Sequence, residues 1–167
     1  MPSMIAEDYG SSDNPLDTLE ELGRANEWLF DRAGEHELLV EVAGRWCDYR
    51  MFFVWRDDVK ALYYTCSLDM KIVPEKRREI NDLLSQVNER MWFGHFELCS
   101  EASMPMFRHT MLTRGWNMVT AEQLEDLVEI AVCECERFYP AFQYVLWAGY
   151  NAPQAIEATM LDPVGEA

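Results

Sequence analysis

Three consecutive stretches between residues 37 and 68 change polarity at every second residue, and this pattern constrains the fold more than any other feature of the chain. In the first, Leu38, Val40 and Val42 alternate with Glu37, Leu39 and Glu41. In the second, Cys47, Tyr49, Met51, Phe53 and Trp55 alternate with Trp46, Asp48, Arg50, Phe52 and Val54. In the third, Leu62, Tyr64, Cys66 and Leu68 alternate with Ala61, Tyr63, Thr65 and Ser67. A period of two sends successive side chains to opposite faces, so each stretch reads as a strand with one buried face. The connectors Ala43-Gly44 and Arg56-Asp57-Asp58 are too short for crossovers, so the three strands should form an antiparallel meander.

Helical signals lie on either side. Asn14 can cap a helix whose first position is Pro15 and whose first turn carries Asp17. Leu19, Leu22, Ala25 and Leu29 make its stripe, and Gly34 ends it. A second helix starts at Pro74, with Ile80, Leu83, Leu84, Val87 and Met91 at helical spacing. Two more strands follow Gly94, over residues 96–99 and 106–112, with Pro105 in their connector. Thr120-Ala121-Glu122-Gln123 reads as a capping box opening a third helix, whose stripe is Leu124, Leu127, Val128, Ala131, Cys135 and Phe138. Pro140 is expected to break or kink it near Tyr139. An apolar segment from Phe142 to Trp147 follows, and a last short helix begins at Pro153. The order α-β-β-β-α-β-β-α predicts an α+β fold with helices packed on an antiparallel five-stranded sheet. Residues 1–13 read as a flexible N-terminal arm, 14–161 as one domain and 162–167 as a C-terminal tail.

Charge narrows the partners. Thirty acidic against 14 basic residues give a net charge of −16. Such a chain repels phosphate backbones and anionic lipid, so neither a nucleic-acid nor a membrane partner is expected. A basic or apolar partner suits it better. The start, Met1-Pro2-Ser3-Met4-Ile5, has neither the basic nor the apolar region of a secretory signal, and no run is as long as a membrane span. A cytoplasmic protein is the expectation. The five cysteines, Cys47, Cys66, Cys99, Cys133 and Cys135, are odd in number and scattered, which fits reduced thiols better than a disulfide framework.

Chemistry-bearing motifs are scarce. Cys133 and Cys135 stand two apart on a helix, about 200° around its axis, and cannot share a metal. His95, Glu97 and Cys99 would share one strand face, with His109 on the neighbouring strand. These are zinc-ligand types, but their spacing matches no closed zinc site, so no metal and no cofactor is assigned. With three histidines and no GxSxG, P-loop or GxGxxG pattern, no enzymatic activity is expected.

The aromatic residues stand out. Phe138, Tyr139, Phe142, Tyr144 and Trp147 gather around Pro140, while Trp46, Phe52 and Val54 fall opposite the main apolar stripe of the second strand. A sheet apolar on both faces needs a second cover. Either helices supply it, or a second copy or another protein does. In the latter case Trp46, Phe52, Phe138, Phe142 and Trp147 are the candidate partner-binding anchors. The alternative is a small-molecule-responsive regulator with a pocket between the C-terminal helix and the sheet.

The segment Cys135-Glu136-Arg137-Phe138-Tyr139-Pro140-Ala141-Phe142-Gln143-Tyr144-Val145-Leu146-Trp147 resembles the C-terminal signature of bacterial YbjN-domain proteins. The element order over residues 16–161 fits that family too. The resemblance implies a sensory-transduction regulator without established enzymatic activity. It also implies a fold similar to that of the small acidic dimeric chaperones of type III secretion, which hold clients in extended, non-native form. A homodimer with a chaperone-like or adaptor role is therefore expected. After Trp147 the family often continues Gly-Gly-Lys-Ser-Pro, whereas this chain has Ala148-Gly149-Tyr150-Asn151-Ala152-Pro153 and lacks the lysine. The family supplies no catalytic residues to carry over.

Overall fold

A computed structural model describes residues 13–161. The expected arm, apart from Asp13, and the expected tail lie outside the described residues. The α+β architecture is present, with helices α1 (Pro15–Ala25), α2 (Arg77–Asn88), α3 (Ala121–Trp147) and α4 (Ala152–Leu161). The sheet has six strands rather than five, in the order β1-β2-β3-β4-β6-β5, all antiparallel. They are β1 (Leu29–Arg32), β2 (Glu37–Ala43), β3 (Asp48–Arg56), β4 (Ala61–Ser67), β5 (His95–Cys99) and β6 (Met104–Leu112).

The additional strand comes out of the expected first helix. Asn14 caps α1 through the Leu16 amide, as its sequence suggests, but the helix stops at Ala25. Glu27 adopts a left-handed φ of 58°, the chain reverses, and residues 29–32 pair with β2. Gly23 permits this, since a Cβ there would lie 2.7 Å from the Phe30 ring. Leu29, expected on the helical stripe, instead lies 69% exposed on an edge strand. In β6 the strand begins before Pro105, whose carbonyl accepts the Leu68 amide where β4 gives way to loop. A proline is tolerated at the end of a ladder better than in its middle.

All the helices that touch the sheet lie on one face. There α1 packs on β1 to β3, α3 crosses β4 and β6, α2 packs on β5, and α4 lies against α2 and α3. Leu38, Val40, Tyr49, Met51, Phe53, Leu62, Tyr64 and Phe107 point into this layer and are fully buried. The expected capping box opens α3, with the Gln123 amide on Thr120 Oγ1 at 3.2 Å and the Thr120 amide on Gln123 Oε1 at 2.9 Å. Of the break or kink expected at Pro140, the break does not occur: α3 runs for 27 residues with Pro140 inside it. An internal proline costs about 3 kcal/mol. Here Phe138, Tyr139, Ala141, Phe142 and Val145 are buried on both sides of it, and each buried Phe contributes about 1.5–3 kcal/mol in return. The Tyr64 hydroxyl donates to the Leu127 carbonyl at 2.8 Å and ties α3 to β4.

Candidate functional site

The opposite face of the sheet has no helix over it among the described residues. Strand register fixes which side chains share it. One row across the sheet holds Leu39, Phe52, Thr65, Arg108 and His95. The next row on one side holds Glu37, Val54, Tyr63 and Thr110, and on the other Glu41, Arg50, Ser67, Met106 and Glu97. The centre is apolar: Leu39 is 37% exposed, and Phe52, Val54, Tyr63 and Met106 are half-buried. Thr65, between Phe52 and Arg108, is buried although no helix covers it.

Charged pairs frame this apolar patch. Arg50 bonds Glu41 at 3.3 Å, and Arg108 reaches Glu97 at 3.2 Å while its guanidinium lies 4.9 Å from the Tyr63 ring. A sheet face of this kind can stand in water, yet it offers apolar area and fixed charges to an incoming surface. The outer edge of β5 is closed differently. The Asn88 side chain donates to the Phe96 carbonyl at 3.0 Å and accepts its amide at 2.7 Å, standing where another strand would pair.

At one end of the open face lies a cavity of about 390 Å³ bounded by Glu41, Trp46, Asp48, Arg50, Asp69 and Met104. Trp46 precedes β3 rather than belonging to it. Its ring stacks on Tyr139 of α3 at 5.9 Å and lies 4.9 Å from the Arg45 guanidinium, leaving the residue 38% exposed.

The five aromatic anchors expected from the sequence are therefore not one surface. Phe52 is on the open face and Trp46 at its end. Phe138 and Phe142 are fully buried, packing on Phe96 with centroids at 6.1 and 5.8 Å. They serve the core, and a partner reaches neither without lifting α3 off the sheet. Trp147 is exposed, but at the C-terminal end of α3 in the helical layer. Leu39, Tyr63 and Met106 complete the open face, and the signal for them in the sequence is their alternation with buried neighbours. The space between α3 and the sheet, where a ligand pocket was the alternative, is filled by Phe96, Phe107, Phe138 and Phe142.

The zinc-type residues do not converge. His95 and Glu97 lie on the open face, 3.4 Å apart, with Glu97 also held by Arg108. His109 pairs with Tyr64 and so points to the other face. Among the described residues no group of three or more His, Cys, Asp or Glu is placed to hold a metal. Cys133 is exposed and Cys135 buried, on opposite sides of α3, and burial pushes the Cys135 thiol well up. Among the described residues no helix is long and apolar enough to cross a membrane.

Comparison with known proteins fits this architecture. Residues 15–144 match the sequence model of the YbjN family, described as "Putative bacterial sensory transduction regulator". The crystal structure of YbjN from E. coli, described as "a putative transcription regulator", superposes with a TM-score of 0.51 at 16% identity. That match covers 71% of this chain and 84% of the E. coli chain, and at this identity it concerns the fold alone. No curated protein sequence matches.

Proposed function

The chain belongs to the YbjN family, and from that premise we propose that it is a non-enzymatic, chaperone-like or adaptor protein that binds a segment of another protein on the open face of its sheet. One observation carries this: every helix that touches the sheet lies on one side, and the other side keeps Leu39, Phe52, Val54, Tyr63 and Met106 together and partly exposed. The regulatory description of the family suits an adaptor. The sequence resemblance implies a fold like that of type III secretion chaperones, which hold extended clients, and an open sheet face suits that role. In this proposal the protein works in the cytosol as a homodimer, and a net charge of −16 keeps it soluble while free of its partner.

The test is a photocrosslinking residue at position 52, compared with one at Glu157 on α4. Position 52 should yield a defined adduct that disappears when Tyr63→Ala and Val54→Ser are added, with the far-ultraviolet circular dichroism unchanged. Equal adducts from both positions would defeat the proposal. Sedimentation equilibrium tests the dimer separately.

A further inference from the structure

We infer that two copies of this chain join through the free end of β6, residues 110–112, about a two-fold axis at Met111. This rests on the homodimer of the proposed function, names the surface that forms it and leaves the open face free for a client. Strand β5 accompanies β6 only as far as Arg108, which pairs with His95. The preceding residue, Gly94, has a left-handed φ of 62°, and the chain leaves the sheet there. On the other side of β6 the Thr113 amide bonds the Lys60 carbonyl at 2.8 Å. Such bonds recur at every second residue of an antiparallel ladder, so His109 and Met111 also face β4. Thr110 and Leu112 therefore turn their N–H and C=O groups outward, and among the described residues nothing pairs with them.

Unpaired groups on an exposed edge are a template for another strand, and this template is complementary to itself. The two-fold axis sets Thr110 opposite Leu112 of the second copy, pairs all the outward groups of both and brings the two Met111 side chains together. Thr113 of the second copy then falls opposite His109, whose ring already meets Phe93 at 6.4 Å, so the exposed loop before β5 is covered as well.

Exposure and charge select this edge. Beside it Trp92 is 94%, Leu112 68% and Phe93 51% exposed, apolar area of the kind that marks an interface. Residues 90–96 and 106–119 include Arg90, Arg108 and Arg114 but no Asp or Glu, in a chain with 30 acidic residues. Two copies with a net charge of −16 each meet here with the least repulsion. The β1 edge is also unpaired on its outer side, but residues 27–37 carry Glu27, Asp31, Glu35 and Glu37, which a second copy would meet with its own.

The experiment is sedimentation equilibrium of the full chain, with far-ultraviolet circular dichroism confirming the fold of each variant. Leu112→Pro removes an outward N–H and keeps the bonds to β4, so it should weaken the dimer about tenfold through two lost hydrogen bonds. Trp92→Ser with Phe93→Ser should weaken it at least as much. Met111→Cys should link the copies by a disulfide on mild oxidation, because directly opposed residues of a non-hydrogen-bonded pair have Cα atoms about 4.5 Å apart. Thr110→Cys, which faces Leu112, and Asp31→Cys on β1 should give no more linked dimer than the unaltered chain with its five cysteines. A dimer that survives Leu112→Pro and links no better through position 111 than through position 110 overturns the inference and leaves the homodimer standing. If Phe52→Lys dissolves the dimer and Leu112→Pro does not, the second copy occupies the open face, and the proposed function falls with the inference. A monomer at every concentration overturns the inference and the homodimer, while client binding is still decided by crosslinking from position 52.

Discussion

The two faces of the sheet come from the same strands and differ by one residue in register, yet they meet different fates. On the covered face Leu38, Met51, Phe53 and Tyr64 are all fully buried under α1 and α3. On the open face their sequence neighbours Leu39, Phe52, Val54 and Tyr63 keep part of their surface in water. The difference lies in what accompanies the apolar residues. Covered rows are apolar across their centre, with Arg32 and His109 only at the ends of one of them, so they cannot remain wet. Open rows include Glu41 with Arg50 and Glu97 with Arg108, which hydrate the rim and let the centre stay exposed. Alternation thus assigns a residue to a face, but the charged pairs decide which face can do without a helix.

The largest expected effect separates the faces outright. Phe142→Ala should cost about 3–5 kcal/mol in urea unfolding, because it opens a hole against Phe96 under the sheet. Phe52→Ala should cost under about 1 kcal/mol, since its site is already half in water. Similar costs for the two would mean that the open face is covered in solution, and sedimentation would then show by what.

Much of this arrangement is visible in local sequence. The α+β order, the strands β2 to β4, the Asn14 cap and the Thr120–Gln123 box all rest on short-range chemistry that a reader of residues can follow. The failures were non-local. Leu29 keeps helical spacing with Leu22, and only the fit of Phe30 against Gly23 diverts it into β1. Pro140 argues for a break, and only the burial of Phe138 and Phe142 on Phe96 outweighs it. The same burial removes both phenylalanines from the candidate surface. Arg108 and Glu97 sit 11 residues apart, and nothing short of strand register reveals that they frame Tyr63.

Intermediate effects test the supports of each face. Asn88→Ala removes both bonds to Phe96 at the edge of β5 and should cost about 2 kcal/mol. It should also expose that edge, so concentration-dependent association by light scattering is the second readout. Thr120→Ala removes the cap that starts α3 over the covered face and should cost about 1 kcal/mol. Neither change should alter binding on the open face, and a loss of binding from Thr120→Ala alone would show that the two faces are coupled through α3.

The smallest effect comes from the edge where the faces meet, and its sign follows from which face a histidine points to. His109 lies among the rings of Tyr64 and Phe93, at 6.0 and 6.4 Å, where burial first and then the nearby His95 lower its pKa from the usual histidine value. Its pKa in the folded chain is therefore below that of the unfolded chain, about 6.5. The unfolded chain binds the proton more tightly, so the stability linked to this group is complete above about pH 6.5 and is lost as pH falls toward the folded pKa. Carboxylates contribute their own acid dependence, so the informative quantity is the difference between the protein and its His109→Phe variant in urea midpoints across pH 7 to pH 5. The protein should lose ground to the variant as pH falls. His95→Gln should shrink that loss without abolishing it, since burial is the larger cause. A difference independent of pH would place His109 in water, on the open side of the sheet, against the register that pairs it with Tyr64.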